Sequence, residues 1–144
     1  MKKKLSIVSI LLVLIFALCA FTACAKSTAK VTVLNCEGEI LAIRADETKE
    51  DVSLGDVLQN LKKSGKIQFE ATNGSYGLFI TSVNGITAGE NEFWAVYTTL
   101  KGVEYSIDDY TYTYEETVCY SAITGVDGLP MIAGNLYVLV LQSF

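Results

Sequence analysis

Only one stretch beyond the N-terminal leader carries helical periodicity, and that limits the fold to a sheet packed on a single helix. Between Ser53 and Ser64, the apolar residues Leu54, Val57, Leu58 and Leu61 recur at i, i+3, i+4 and i+7, on one face. Ser53 supplies an N-cap hydroxyl, Asp56 a capping-box carboxylate three residues on, and Gly65 the C-terminal stop. Lys62, Lys63 and Lys66 gather at the negative end of the helix dipole and compensate it; contact with an anionic membrane is the other reading of the same lysines.

The remaining segments alternate with the period of strands. Ala29–Leu34 and Glu39–Arg44 flank Glu37-Gly38 and predict a hairpin. Asp46–Asp51 reads as a charged loop. After the helix come strands at Lys66–Glu70, Gly77–Val83, Glu92–Thr99, Val103–Ile107, Tyr110–Tyr120 and Leu136–Gln142, with turns at Asn84-Gly85 and Lys101-Gly102. A hairpin, one amphipathic helix and then several strands predict an α+β domain, a mostly antiparallel sheet wrapped around the helix. The order β-β-α-β suits a β-grasp topology.

Residues 5–23 carry no charge and follow Lys2, Lys3 and Lys4, the layout of a secretory signal. The segment closes on Ala20-Phe21-Thr22-Ala23-Cys24, which resembles the lipobox of bacterial lipoproteins, a family in which the thiol is diacylated and becomes the new N-terminus. The chain thus divides into a lipoprotein signal peptide at 1–23, a lipidated tether at 24–30 and a folded domain at 31–144. This places the domain on the extracytoplasmic face of a bacterial membrane, held by the lipid on Cys24. An uncleaved membrane helix is the alternative, since 19 uncharged positions approach a spanning length. Cys19 leaves with the leader, so Cys36 and Cys119 remain; they either form a disulfide, worth roughly 4 kcal/mol for so long a loop, or stay as two buried thiols.

Charge and composition exclude whole classes of function. The leader takes three lysines and leaves 8 basic residues against 16 acidic, a net charge of −8 that repels phosphate backbones, so no nucleic-acid partner is expected. The chain has no histidine, which removes the usual general base and the commonest zinc ligand. Ser82, Thr81 and Cys119 have no evident activating base, and no catalytic residue is assigned. The acidic residues Asp108, Asp109, Glu115 and Glu116 lack the alternating ligands of a calcium loop, so no metal site is expected.

The run Gly77-Leu78-Phe79-Ile80-Thr81-Ser82-Val83-Asn84-Gly85, followed by Phe93-Trp94-Ala95-Val96-Tyr97, resembles the transcobalamin-like C-terminal domain family, whose bacterial members are surface lipoproteins of unassigned function. The family pattern is Gly-x-Phe-Ile-x-x-Ile-Asn-Gly, an aromatic-Trp-x-x-Tyr strand and a closing Gly-Asp-x-Tyr segment. The helix Leu54–Leu61 matches the family's upstream helix, and the resemblance extends over about residues 50–142. The chain departs from the pattern at Thr98-Thr99-Leu100-Lys101-Gly102, where a short Asn-Gly turn is usual, and at Asn135, where Asp is usual. The resemblance implies a β-grasp-like domain that caps a corrinoid. In larger relatives a helical domain supplies the other half of the site, which here falls to a partner.

Candidate ligand contacts follow from position. Tyr76 and Asn84 end the Gly77–Val83 strand, either as ligand-touching loop residues or as turn formers. Along the next strand Phe93 and Tyr97 face one way and Trp94 the other, so each is read as core or as ligand contact. Tyr110, Tyr112 and Tyr114 form a row on one face, a stacking surface or a set of cross-strand pairs, with Tyr112 its middle member. The sequence therefore predicts a lipid-anchored extracytoplasmic protein that binds a small ligand, with a corrinoid such as cobalamin the most specific candidate and a surface or transport protein as partner; no cofactor is required. The alternative is a protein-interaction or adhesion module. A concave aromatic pocket would favour the first and a flat patch the second.

Overall fold

The computed structural model describes residues 28–144. The leader, Cys24 and the start of the tether lie outside the described residues.

The hairpin forms first along the chain. Strands β1 (Val31–Asn35) and β2 (Ile40–Ala45) pair antiparallel across a turn in which Gly38 adopts φ +66°. Strand β3 (Lys49–Ser53) leads into α1 (Leu54–Lys63), the only α-helix among the described residues. The capping box is present at both bonds: the Asp56 N–H donates to Ser53 Oγ (3.1 Å) and the Ser53 N–H to Asp56 Oδ2 (3.0 Å). At the other end the Gly65 N–H reaches Lys62 O and the Lys66 N–H reaches Leu61 O, both at 3.0 Å, with Gly65 at φ +75°. That is a Schellman closure, which glycine's freedom at positive φ allows. Leu54, Val57, Leu58 and Leu61 are buried, as their spacing predicts, each worth about 1.5–3 kcal/mol when fully removed from water.

Strands β4 (Phe69–Gly74), β5 (Gly77–Val83) and β6 (Ile86–Thr87) make a three-stranded meander. Strands β7 (Glu92–Thr98), β8 (Ser106–Tyr114), β9 (Thr117–Ala122) and β11 (Leu136–Ser143) join the first hairpin in a six-stranded sheet of order β1-β2-β11-β7-β9-β8. The short β10 (Pro130–Met131) pairs with β3. All pairings among the described residues are antiparallel, so their fold is α+β, mostly antiparallel sheet with one α-helix.

Two cores sit on opposite faces of the large sheet. On one, Leu41, Ile43, Tyr137, Leu139 and Trp94 meet the helix and the meander. On the other, Ala42, Val138, Val140, Ala95 and Tyr97 cluster with Tyr114 and Cys119 of the β8–β9 hairpin, which therefore curls over that face. The central strands β2 and β11 are consequently buried on both sides, which explains their almost unbroken apolar runs.

Several predicted elements change. The Asp46–Asp51 loop contains the start of β3, whose partner lies some eighty residues away in β10, a pairing that local periodicity cannot reveal. The strand expected at Lys66–Glu70 begins later, at Phe69. Val103 is exposed in a turn and β8 starts at Ser106. The expected Tyr110–Tyr120 strand is two strands separated by Glu115-Glu116, both at positive φ (43° and 69°). Cys36 and Cys119 are free thiols, one exposed and one buried. β1 and β9 stand four strand spacings apart, about 19 Å along the sheet, well beyond disulfide range.

Candidate functional site

Strand β7 is bonded fully on one side and only in part on the other. Its register with β11 runs from Glu92 to Thr98. At the ends of that ladder the Thr99 N–H donates to Leu136 O (3.1 Å) and the Phe144 N–H to Asn91 O (3.0 Å). Because hydrogen-bonded pairs alternate in an antiparallel ladder, the odd-numbered residues of β7 spend their backbone groups on β11. Trp94, Val96 and Thr98 turn theirs to the opposite flank. There β9 pairs with Tyr97 and Thr98 alone.

The divergence of β9 has a visible companion in β8. Ile107 pairs with Ser121 and Thr111 with the adjacent Tyr120, so Asp108, Asp109 and Tyr110 are bulged out of the ladder. The bulge carries Tyr110 away from the row it would share with Tyr112 and Tyr114. Tyr114 is buried, Tyr112 packs against Tyr97 (5.5 Å between ring centroids), and Tyr110 is exposed at the mouth of a cleft.

That cleft has a volume of about 570 Å³, in the range of small-molecule sites. The β7 edge forms one wall and Leu78, Phe79 and Ile80 of β5 another, with Ile123, Thr124 and Gly125 closing one end. None of its lining residues is charged. Trp94 and Ile80 lie nearly solvent-free at its base, whereas Tyr76 (82% exposed), Phe79 (49%) and Tyr110 (66%) stand around its rim. The Trp94 Nε1–H donates to Ile86 O at 3.1 Å, so the indole meets its hydrogen-bonding need within the fold. Tyr97 donates its hydroxyl to Gln142 Oε1 (2.8 Å), and Phe93 stacks on Phe144 (4.8 Å).

The Tyr76 wall is pinned from behind. The Gly125 N–H donates to Tyr76 O (2.8 Å), and Asp127 Oδ1 accepts from the Leu78 N–H (2.7 Å). A Cβ at Gly125 would collide with the Leu78 backbone, so this close approach requires glycine.

Of the residues singled out from sequence, Tyr76, Phe93, Trp94 and Tyr97 line one cleft. Asn84 and Tyr112 do not. Asn84 sits at φ 48° in the β5–β6 turn, where Oδ1 accepts from the Gln68 N–H (2.9 Å) and Nδ2 donates to Cys36 O (2.8 Å), tying two turns together. Trp94 combines its two readings, a core side chain on a residue that also lines the cleft. Sequence reasoning missed Phe79, Ile123 and Gln142. Phe79 carried a signal, since a large aromatic on a strand that buries its neighbour Ile80 must face the other way. A second depression of about 690 Å³, lined by Glu50, Asp51, Asp56 and Asp127, is acidic and has little stacking surface. Asp56 and Asp127 there are already engaged by backbone N–H groups.

The aromatic cleft can therefore hold a neutral, largely apolar ligand by stacking, with backbone groups of the β7 edge as its hydrogen-bonding guides. No family model matches the chain. Similarity is found to transcobalamin-2 of Bos taurus, 46% identical over 44 residues, a segment that is 31% of this chain and 10% of that protein. The chain thus matches about a tenth of the length of that curated relative.

Proposed function

We propose that this chain is a lipid-anchored extracytoplasmic binding protein whose aromatic cleft holds a small ligand, with a corrinoid the best candidate. The observation that carries this reading is the uncharged, aromatic-rimmed cleft built on the Phe93–Tyr97 strand, the strand on which the family resemblance rests. The partial match to transcobalamin-2 supports the same ligand class. A flat macrocycle would lie between the Phe79 and Tyr110 rims, and because the cleft is open, its outer face would be left for a partner surface or transport protein. The order hairpin, helix, sheet supports a β-grasp-like description of the domain. The protein acts by binding, with no reaction of its own.

Trp94 is the chain's sole tryptophan and lines the cleft, so it reports occupancy. The emission of the full-length protein in detergent micelles, titrated with cobalamin and with cobinamide, is expected to fall saturably beyond the inner-filter control, because the corrin absorbs in the indole emission band. An unchanged emission up to about millimolar ligand, weaker than roughly −4 kcal/mol, would remove the corrinoid reading for the chain acting alone.

A further inference from the structure

The C-terminal end of α1 is closed by its own backbone. The Ser64 N–H donates to Asn60 O, the Gly65 N–H to Lys62 O and the Lys66 N–H to Leu61 O, each at 3.0 Å. Lys62 spends its ammonium on Phe69 O (2.9 Å) and lies over the Phe69 ring. Lys63 and Lys66 are exposed, and among the described residues neither ammonium has a hydrogen-bond or ion-pair partner. The hydrogen-bonding needs of the helix end are thus met without them, and two of its three cations stay unspent.

These cations stand where the chain enters the domain. Lys66 lines a groove of about 430 Å³ together with Ala29, Val31, Val57 and Leu61, between α1 and β1, the edge strand of the large sheet. No acidic residue lines that groove, and Glu47 beside the chain entry accepts from the Lys30 N–H (2.8 Å). Five residue steps separate Ala29 from Cys24, a reach of at most about 18 Å. A lipid on Cys24 therefore keeps this end of the domain close to the bilayer surface. Anionic headgroups there attract Lys63 and Lys66 and repel the acidic remainder of the domain, so charge favours one orientation.

We infer that the C-terminal end of α1 and the neighbouring β1 groove dock on an anionic phospholipid bilayer, with Lys63 and Lys66 against the headgroup phosphates. The β7 edge of the aromatic cleft is three strand spacings from β1, about 14 Å, so docking holds the cleft away from the bilayer and open to ligand and partner. The inference rests on the lipid-anchored reading and adds an orientation to it; it is independent of what the cleft binds.

The test uses the full chain expressed in a bacterium, purified from its membranes and reconstituted in nanodiscs of phosphatidylcholine alone or of phosphatidylcholine with phosphatidylglycerol. Amine acetylation, read by mass spectrometry, is expected to slow about fivefold at Lys63 and Lys66 when phosphatidylglycerol is present. It should recover at high salt and stay unchanged at Lys101, which lies over the Tyr120 ring. Lys62, on the same turn, should follow its neighbours in the unaltered chain. It should lose that dependence on lipid charge in Lys63→Gln/Lys66→Gln, whose changes are both on exposed residues. Equal labelling in the two lipids, equal slowing at Lys101, or an unchanged response of Lys62 in the variant would overturn the inference. So would protection that persists in neutral detergent micelles, which would mark the groove as covered by a second copy. The mass of the N-terminal peptide from the same samples reads the anchor separately. An unacylated Cys24 overturns the lipid-anchored reading and the inference with it, whereas an acylated Cys24 with equal labelling overturns the docking alone.

Discussion

Trp94 shows how one side chain can serve the core and the site together. Its ring is almost solvent-free, the residue also lines the cleft, and its one polar side-chain group is spent on Ile86 O. Trp94→Phe leaves that carbonyl without its donor and opens a small void, and should cost about 1–3 kcal/mol in a denaturant titration. Glu115 and Glu116 illustrate the opposite case, two side chains at positive φ in a tight turn that favours Asn-Gly. Glu115→Asn with Glu116→Gly should therefore stabilise by about 1 kcal/mol, read as a raised midpoint with an unchanged slope. Three buried groups set the alkaline limit. Burial pushes the Cys119 thiol and the Tyr137 hydroxyl up, the latter partly offset by the Ile132 N–H, and burial followed by the charge of Glu115 does the same at Tyr114. Each holds its proton more tightly when folded. Stability is therefore full below the unfolded values, about 8.5 for a thiol and about 10 for a phenol, and declines as pH rises through them towards the folded ones. Denaturation midpoints measured from pH 7 upward should fall, and Cys119→Ala should remove the earliest part of that fall; a flat profile would contradict the assignment.

At the level of elements, α1 was legible to within a residue, because periodicity, capping box and C-terminal glycine all point the same way. Ser53→Ala should cost about 1 kcal/mol through loss of the cap, seen as a lowered denaturation midpoint. The β1–β2 hairpin, β5, β7 and β11 were legible for a similar reason, since alternation and local turns agree. Strand β3 was not, because charged residues form it and its partner is distant in sequence. The β8–β9 hairpin was hidden by a turn made of two glutamates, neither of which signals left-handed backbone. The sequence puts the three tyrosines in one row, a stacking surface or a set of cross-strand pairs, and the bulge at Asp108–Tyr110 divides it: one ring at the cleft, one against Tyr97 and one in the core. A bulge leaves no mark in hydrophobic periodicity, so this part of the site could be found only in three dimensions.

For the whole molecule, the sheet order separates what sequence distance leaves open. Cys36 sits at one end of the large sheet and Cys119 beneath the curled hairpin, so maleimide at neutral pH should label Cys36 in the native protein and Cys119 only after unfolding, as peptide mapping would record. The same order leaves β7 partly unpaired beside the meander, which is what makes the cleft. Four of the six candidate contacts were legible because they lie on or beside the β5 and β7 strands; the far wall comes from segments that converge only when the sheets pack. The central claim is that this cleft is the ligand site. The most direct measurement is the affinity of cobinamide for the unaltered protein, for Phe79→Ala/Tyr110→Ala, whose exposed rings can be removed without opening the core, and for the control Val103→Ala, exposed and outside the cleft. The account predicts a loss of about tenfold in the cleft variant, from two stacking contacts, and no change in the control. Equal affinity in all three proteins, or no saturable binding to any, would contradict it.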